Sequence, residues 1–253
     1  MGSAVIELAA LCPVPGNGRL RLRDGAQPQP CAHVALQAAE WALRLLADTL
    51  LRVPGIQERQ IGGLCDGFNP QERGEEELER LGSLGGMALC YEESDYPQLL
   101  KELLDPPPVL YLLGDPELLN NPMVAMVGSR AATSYGRRIA YDLARGLAAK
   151  SLTVVSGLAL GIDAESHRGA LSANGSTVGI LGCGLDVVYP RQNVALYRKL
   201  IDHGALITEY PLGTRPDGFR FPARNRIIAG ISQGVVVVEA ARKSGSLITA
   251  QIG

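Results

Sequence analysis

Residues 123–157 read MVAMVGSRAATSYGRRIAYDLARGLAAKSLTVVSG, and they set the architecture around them. A short apolar run ends in Gly-Ser, a helical stretch runs through YGRRIAYDLARGLAA, and a second apolar run closes on Ser-Gly. Runs this short and apolar, bounded by turn residues, mark strands buried on both faces of a parallel sheet. The alternation continues with a helix from Asp163, then TVGILGCG, a helix through ALYRKLIDH, then ALITEY and GVVVVEA. It predicts an α/β fold: an open, mostly parallel sheet wound on both faces, with its ligand site outside the carboxyl ends of the strands.

Upstream the texture differs. Residues 1–33 are rich in turn formers (PVPGNG, QPQP) and are expected to be a poorly ordered leader. Residues 34–115 carry helical patterning in AEWALRLLADTLLRV and EEELERLGSLGG, which predicts a small helical N-terminal domain. Asp105-Pro106-Pro107-Pro108 stiffens the chain near its end, and the doubly wound domain is assigned to residues 116–253. The sequence stops just inside the helix that SGSLITA begins, so that domain is expected to be cut short at its C-terminal end.

With 253 residues, 46% of them hydrophobic, the chain can bury a large core. No apolar run is long enough to cross a bilayer. Glu7 stands where a signal peptide would be basic, and Ile6 where myristoylation needs Ser or Thr. Five irregularly spaced cysteines form neither a disulfide framework nor paired metal-ligand spacing, so a reducing cytoplasm is expected.

The loops after the strands are crowded with small residues: Gly128-Ser129-Arg130, Ser156-Gly157 with Gly161, Gly182-Cys183-Gly184, and Ser244-Gly245-Ser246. Each is either a tight strand-to-helix turn or a place where backbone amides and a helix N-terminus approach an anion. VGSRAATSYG lacks G-x-G-x-x-G and no P-loop occurs, so neither a nicotinamide nor a nucleoside triphosphate cofactor is expected. The three histidines, His33, His167 and His203, lie far apart, which argues against a metal site. His167 follows Asp163 by one helical turn, allowing an Asp–His hydrogen bond that is either structural, with Asp163 an N-cap, or catalytic.

PLGTRPDGFRFPARNRIIAG, residues 211–230, concentrates Arg215, Arg220, Arg224 and Arg226 against one acid, Asp217, in a chain of net charge −2. Read as a loop, it offers cations for a phosphate backbone and, in Phe221, a ring for a base; the alternatives are a solvated loop and a core phenylalanine.

Five segments then carry a resemblance: VGSRAATSYGRRIA, VVSGLALGIDAESHRGAL, TVGILGCGLDVVYP, TEYPLGTRPDGFRFPARNRIIAG and VVVVEAARKSGSLITA, in that order from about Tyr96 onward. Together they resemble the DNA-processing protein A (DprA/Smf) family. The resemblance implies an extended Rossmann-like fold behind a small helical domain, and binding of single-stranded DNA that is handed to RecA recombinase during natural transformation. A homodimer is a possible assembly. It also implies a DNA pocket at Gly128, Ser129, Arg130, Phe221, Pro222, Arg224, Asn225 and Arg226. Adjoining loops are expected to add Ser156, Gly157, Gly161, Arg220, Lys243, Ser244, Gly245 and Ser246. No catalytic residue is assigned. The alternative is a lysine-decarboxylase-like phosphoribohydrolase, or a nucleotide-binding scaffold that has lost such activity. The P-G-G-x-G-T-x-x-E loop of those enzymes corresponds to KSGSLITAQ, where the proline is missing and Gln251 stands near the place of the catalytic glutamate.

Overall fold

The computed structural model describes residues 70–240, within which a seven-stranded sheet runs in the order β1-β2-β6-β5-β4-β3-β7. Its parallel part is β3 (Met123–Val127), β4 (Thr153–Ser156), β5 (Thr177–Ile180), β6 (Ala205–Thr208) and β7 (Val235–Val237). The chain steps outward from β3 to β6 and then returns to place β7 on the other side of β3. β3 is therefore the switch point of the doubly wound sheet, where a crevice opens at the strands' carboxyl ends.

Alternating strand residues face opposite layers. Ala125, Val127 and Val155 join a core with Ile227, Ile228 and Ile231 of helix α6 (Arg220–Gly230) and the residue after it, whereas Met126 and Val154 pack with Ala140, Ala144, Ile162 and Ala170. The latter come from α3 (Ser134–Ala148) and α4 (Ile162–Ser172). Gly136, Ala140, Ala144 and Ala148 form the buried stripe of α3, small enough for α4 to approach so closely that a side chain at Gly169 would overlap the Tyr141 carbonyl. Helix α5 (Val194–His203) covers the β6 side with Leu196, Tyr197 and Leu200.

The sheet reaches further back in the chain than the boundary at 115. Strands β1 (Met87–Cys90) and β2 (Val109–Gly114) pair antiparallel with each other, and β2 pairs antiparallel with β6 from Tyr111↔Thr208 to Gly114↔Ala205. The boundary thus cuts through one sheet, and the helical reading of 34–115 fails for these two segments; among residues 70–115 it holds for α1 (Pro70–Ser83) and the single turn α2 (Gln98–Lys101). MALC and VLYLLG are poor in β-branched residues, so their strand state comes from pairing, of β2 with β6 and of β1 with β2, rather than from propensity. The expected leader and the helical stretch AEWALRLLADTLLRV at 39–53 lie outside the described residues.

The second correction concerns residues 220–230. These form helix α6 and not a loop. Pro222 lies in the first turn, where its missing N–H costs nothing, and burial of Ile227, Ile228 and Ala229 holds the rest.

Candidate nucleic-acid interface

At the carboxyl end of β3 lies an open cavity of about 550 Å3, lined by Gly128, Ser129 and Arg130 and by Phe221, Pro222, Arg224 and Asn225 at the start of α6. Two segments some ninety residues apart in sequence thus meet at one crevice, as the sequence reading expects. Asp163, Tyr189 and Asp217 complete its charged and aromatic lining.

The aromatic part is larger than the sequence suggests. Tyr189 stacks on Phe221 with centroids 5.5 Å apart and rings inclined by 23°. The Arg130 guanidinium lies 5.1 Å from the Phe221 centroid, within cation–π range. Tyr189 is 40% exposed, so the more accessible face of the stack belongs to it and Phe221 backs it. Nothing in GCGLDVVYP set Tyr189 apart from the turn around it. Phe221 fits closely here: a side chain at Gly182 would come 3.0 Å from its ring.

The four arginines of residues 211–230 separate into different roles. Arg224 is 4% exposed, and its guanidinium donates hydrogen bonds to the carbonyls of Gly157 (2.9 Å) and Ile180. The Arg224 guanidinium and the Asp163 carboxylate converge on Gly157, where an added Cβ would sit 2.8 Å from Asp163 Oδ2. Burial pushes both groups toward their neutral forms, the Asp163 carboxyl upward and Arg224 down to about 10, while each partly offsets the other's shift. Arg226 points elsewhere and grips Glu209 with two hydrogen bonds of 2.7 Å, with Asp105 at 3.2 Å. Arg220 lies 5.2 Å from the Tyr210 ring centroid and 5.1 Å from that of Phe219, and donates to the Arg215 carbonyl. Among these residues and Arg130, only Arg130 and Arg215 are exposed cations.

Ser156, Gly161, Arg220 and Arg226 do not line the cavity. The Ser156 hydroxyl is buried and donates to the Met126 carbonyl at 2.6 Å. Gly161, at φ +78°, starts α4 in a conformation that favours glycine, and a side chain there would overlap the Ser129 carbonyl. Gly157 faces Arg224 and Asp163, and lines only the smaller recess behind Tyr189. These glycines therefore serve close internal packing, the first of the two readings their loops allowed. Lys243, Ser244, Gly245 and Ser246 lie outside the described residues.

The helix starts, expected to receive an anion, are occupied from within. At α3 the Glu239 carboxylate accepts from the Thr133 amide (3.1 and 3.2 Å) and from the Thr133 hydroxyl (2.7 Å), while Thr133 Oγ1 accepts from the Gly136 amide. At α4 the first amide, that of Ile162, donates to the Ser129 carbonyl at 3.2 Å, and Asp163 adds negative charge in the first turn. Only α6, of these three, has neither a side-chain cap nor an acid in its first turn. The sequence could have revealed Glu239 through its place just beyond β7, but no pattern ties it to Thr133.

The proposed Asp163–His167 bond does not form. Gly161 is the N-cap, Asp163 accepts from the Ala159 amide at 3.4 Å, and His167 turns the other way. Thr177 Oγ1 lies 2.8 Å from the Val154 carbonyl, to which it donates, so it accepts from His167 Nδ1–H at 2.7 Å. Burial lowers the His167 pKa to about 3, with the charges of Arg224 and Arg168 acting in the same direction. The folded chain thus refuses a proton that the unfolded chain takes up below about pH 6.5, and stability is lost as pH falls from there toward 3. Urea unfolding between pH 7 and 4 is expected to show this as a slope component of about 1.4 kcal/mol per pH unit, absent from a His167→Asn variant.

Among the described residues no group of three or more His, Cys, Asp or Glu is placed to hold a metal, and no helix is long and apolar enough to cross a membrane. A switch-point crevice with a cation–aromatic wall at the carboxyl ends of a mostly parallel sheet defines an α/β protein of the Rossmann-like class. Residues 87–253 match the family described as DNA recombination-mediator protein A, and the chain belongs to that family. It is 40% identical over 245 residues to Protein Smf of Synechocystis, covering 94% of this chain and 59% of that protein. To DNA processing protein DprA of Bacillus subtilis it is 44% identical over 156 residues, 61% of this chain and 52% of that one. The chain spans about half the length of the curated relatives it matches. The X-ray structure of DprA from Streptococcus pneumoniae superposes with a TM-score of 0.69 at 32% identity, covering 89% of this chain and 83% of that one. A Helicobacter pylori DprA structure, described as giving insight into a unique single-stranded DNA binding mode, superposes at 0.61 with 34% identity over 66% and 75% of the two chains.

Proposed function

We propose that this chain binds single-stranded DNA, without sequence preference, in the crevice between the Gly128–Arg130 turn and the start of α6, and passes the strand to RecA recombinase during natural transformation. It acts in the cytoplasm as a binding protein and not as an enzyme. The observation that carries this reading is the Tyr189–Phe221 stack with Arg130 beside it at the mouth of the cavity. A π-face accepts any base, and a cation beside it accepts the phosphate that precedes or follows. The Helicobacter pylori relative, whose structure concerns single-stranded DNA binding, supports the choice of strand.

Because Arg224 and Arg226 are engaged internally, the electrostatic component is smaller than four arginines imply. Titration with single-stranded and duplex oligonucleotides at increasing salt is expected to show preference for the single strand. The log–log slope should lie near 0.7 × 2, about −1.4, for contacts from Arg130 and Arg215. Equal affinity for duplex, or no salt dependence, overturns the reading. Nucleoside 5′-monophosphates incubated with the protein should remain intact; release of free base would favour the phosphoribohydrolase alternative.

A further inference from the structure

The turn that carries Arg130 is held at both ends by neighbouring elements. On one side Ser129 O accepts from the Ile162 amide at 3.2 Å. On the other, Glu239 makes a double clamp beyond the end of β7: its main-chain carbonyl accepts from the Ser129 amide at 2.7 Å, and its carboxylate takes the Thr133 amide and hydroxyl. Residues 129 and 133 bracket Arg130, so one residue of a distant strand end sets both edges of the segment. Gly136 leaves room for that carboxylate, since any side chain there would overlap it.

We infer that Glu239 is the positioning residue for Arg130: by anchoring Ser129 and Thr133 it fixes the guanidinium beside Phe221, where it meets the DNA backbone. This rests on the proposed DNA-binding crevice and deepens it. A carboxylate close to a polyanion should by charge alone weaken binding, so its removal should by charge alone tighten it. Positioning predicts the opposite sign. An anchored arginine keeps its hydrogen-bonding fork in place, whereas a loose one must be ordered on binding.

Oligonucleotide affinity is to be measured for the full chain and for Arg130→Ala, Glu239→Ala and the double variant, each across a salt series. Arg130→Ala and Glu239→Ala are each expected to weaken binding about tenfold and to flatten the slope by about 0.7, the share of one phosphate contact. The double variant should bind no more weakly than Arg130→Ala alone, because the glutamate acts through the arginine. Glu239→Gln keeps one carbonyl acceptor and should recover part of the loss. Should Glu239→Ala not fold, Thr133→Val serves instead: it removes the hydroxyl donor, keeps the amide, and should weaken binding in the same non-additive way. Unchanged or tighter binding by Glu239→Ala, or losses that multiply in the double variant, would overturn the inference while leaving the crevice in place. If Arg130→Ala itself binds as the parent does, the crevice reading falls and this inference with it.

Discussion

Arg224→Ala is expected to lose about 3–5 kcal/mol of folding stability, the order for leaving a buried charge uncompensated together with buried carbonyls that lose their donor. The side chain ties α6 to the ends of β4 and β5 through the Gly157 and Ile180 carbonyls, and it is the cation facing Asp163. Without it those carbonyls lose their donor and Asp163, 7% exposed, is left in a site whose burial already disfavours its charge. For a domain of this size the loss corresponds to a melting temperature lower by roughly 6–20 °C. Arg224→Ala combined with Asp163→Asn should recover part of it, since the second change removes the uncompensated charge. A variant that melts like the parent and binds DNA with a flatter salt slope would instead restore Arg224 to the role of a solvated phosphate contact.

The second large effect is expected at the aromatic pair. Tyr189→Ala and Phe221→Ala should each weaken single-stranded DNA binding by roughly fivefold to a hundredfold, the range of about 1–3 kcal/mol for one stacked base, with the salt slope unchanged. Tyr189 presents the accessible face and Phe221 supports it, so Tyr189→Phe should retain affinity while loss of either ring removes the shelf. The two losses should not multiply in a double variant. Oligonucleotide titrations at two salt concentrations separate this pattern from that of Arg130, whose removal flattens the slope. If Phe221→Ala lowers stability by several kcal/mol and leaves affinity alone, the ring is a core element beside Gly182 and nothing more.

Much of this was legible from residue patterns alone. The parallel strands stand out because burial on both faces leaves short, continuous apolar runs, and the glycine turns punctuate them. The meeting of Arg130 with Phe221 follows from the rule that ligand sites gather at strand carboxyl ends. What escaped has identifiable causes. Strand β2 takes its state from β6, more than ninety residues later, which no local window contains, and β1 in turn pairs on β2. Helix α6 begins in a Pro- and Gly-rich segment whose composition reads as loop, and its helicity comes from the buried Ile227 and Ile228. The fates of Arg224 and Arg226 could not be read because an arginine's role depends on which acid or carbonyl the fold brings to it, here Gly157, Ile180 and Glu209.

The closed helix starts at α3 and α4 bear on competition inside a cell. Free nucleotides are abundant there, and a doubly wound sheet with open helix N-termini would hold them by their phosphates. In this chain the amide and hydroxyl of Thr133 already answer to Glu239, and the first amide of α4 answers to Ser129. A mononucleotide therefore finds no concentrated phosphate cradle at either start. A strand can instead draw on many weak contacts along the rim, each shared between a ring and a cation. Under the proposed DNA binding, discrimination between polymer and monomer at α3 and α4 would then come from what the protein has already filled, with the start of α6 the one of the three left uncapped.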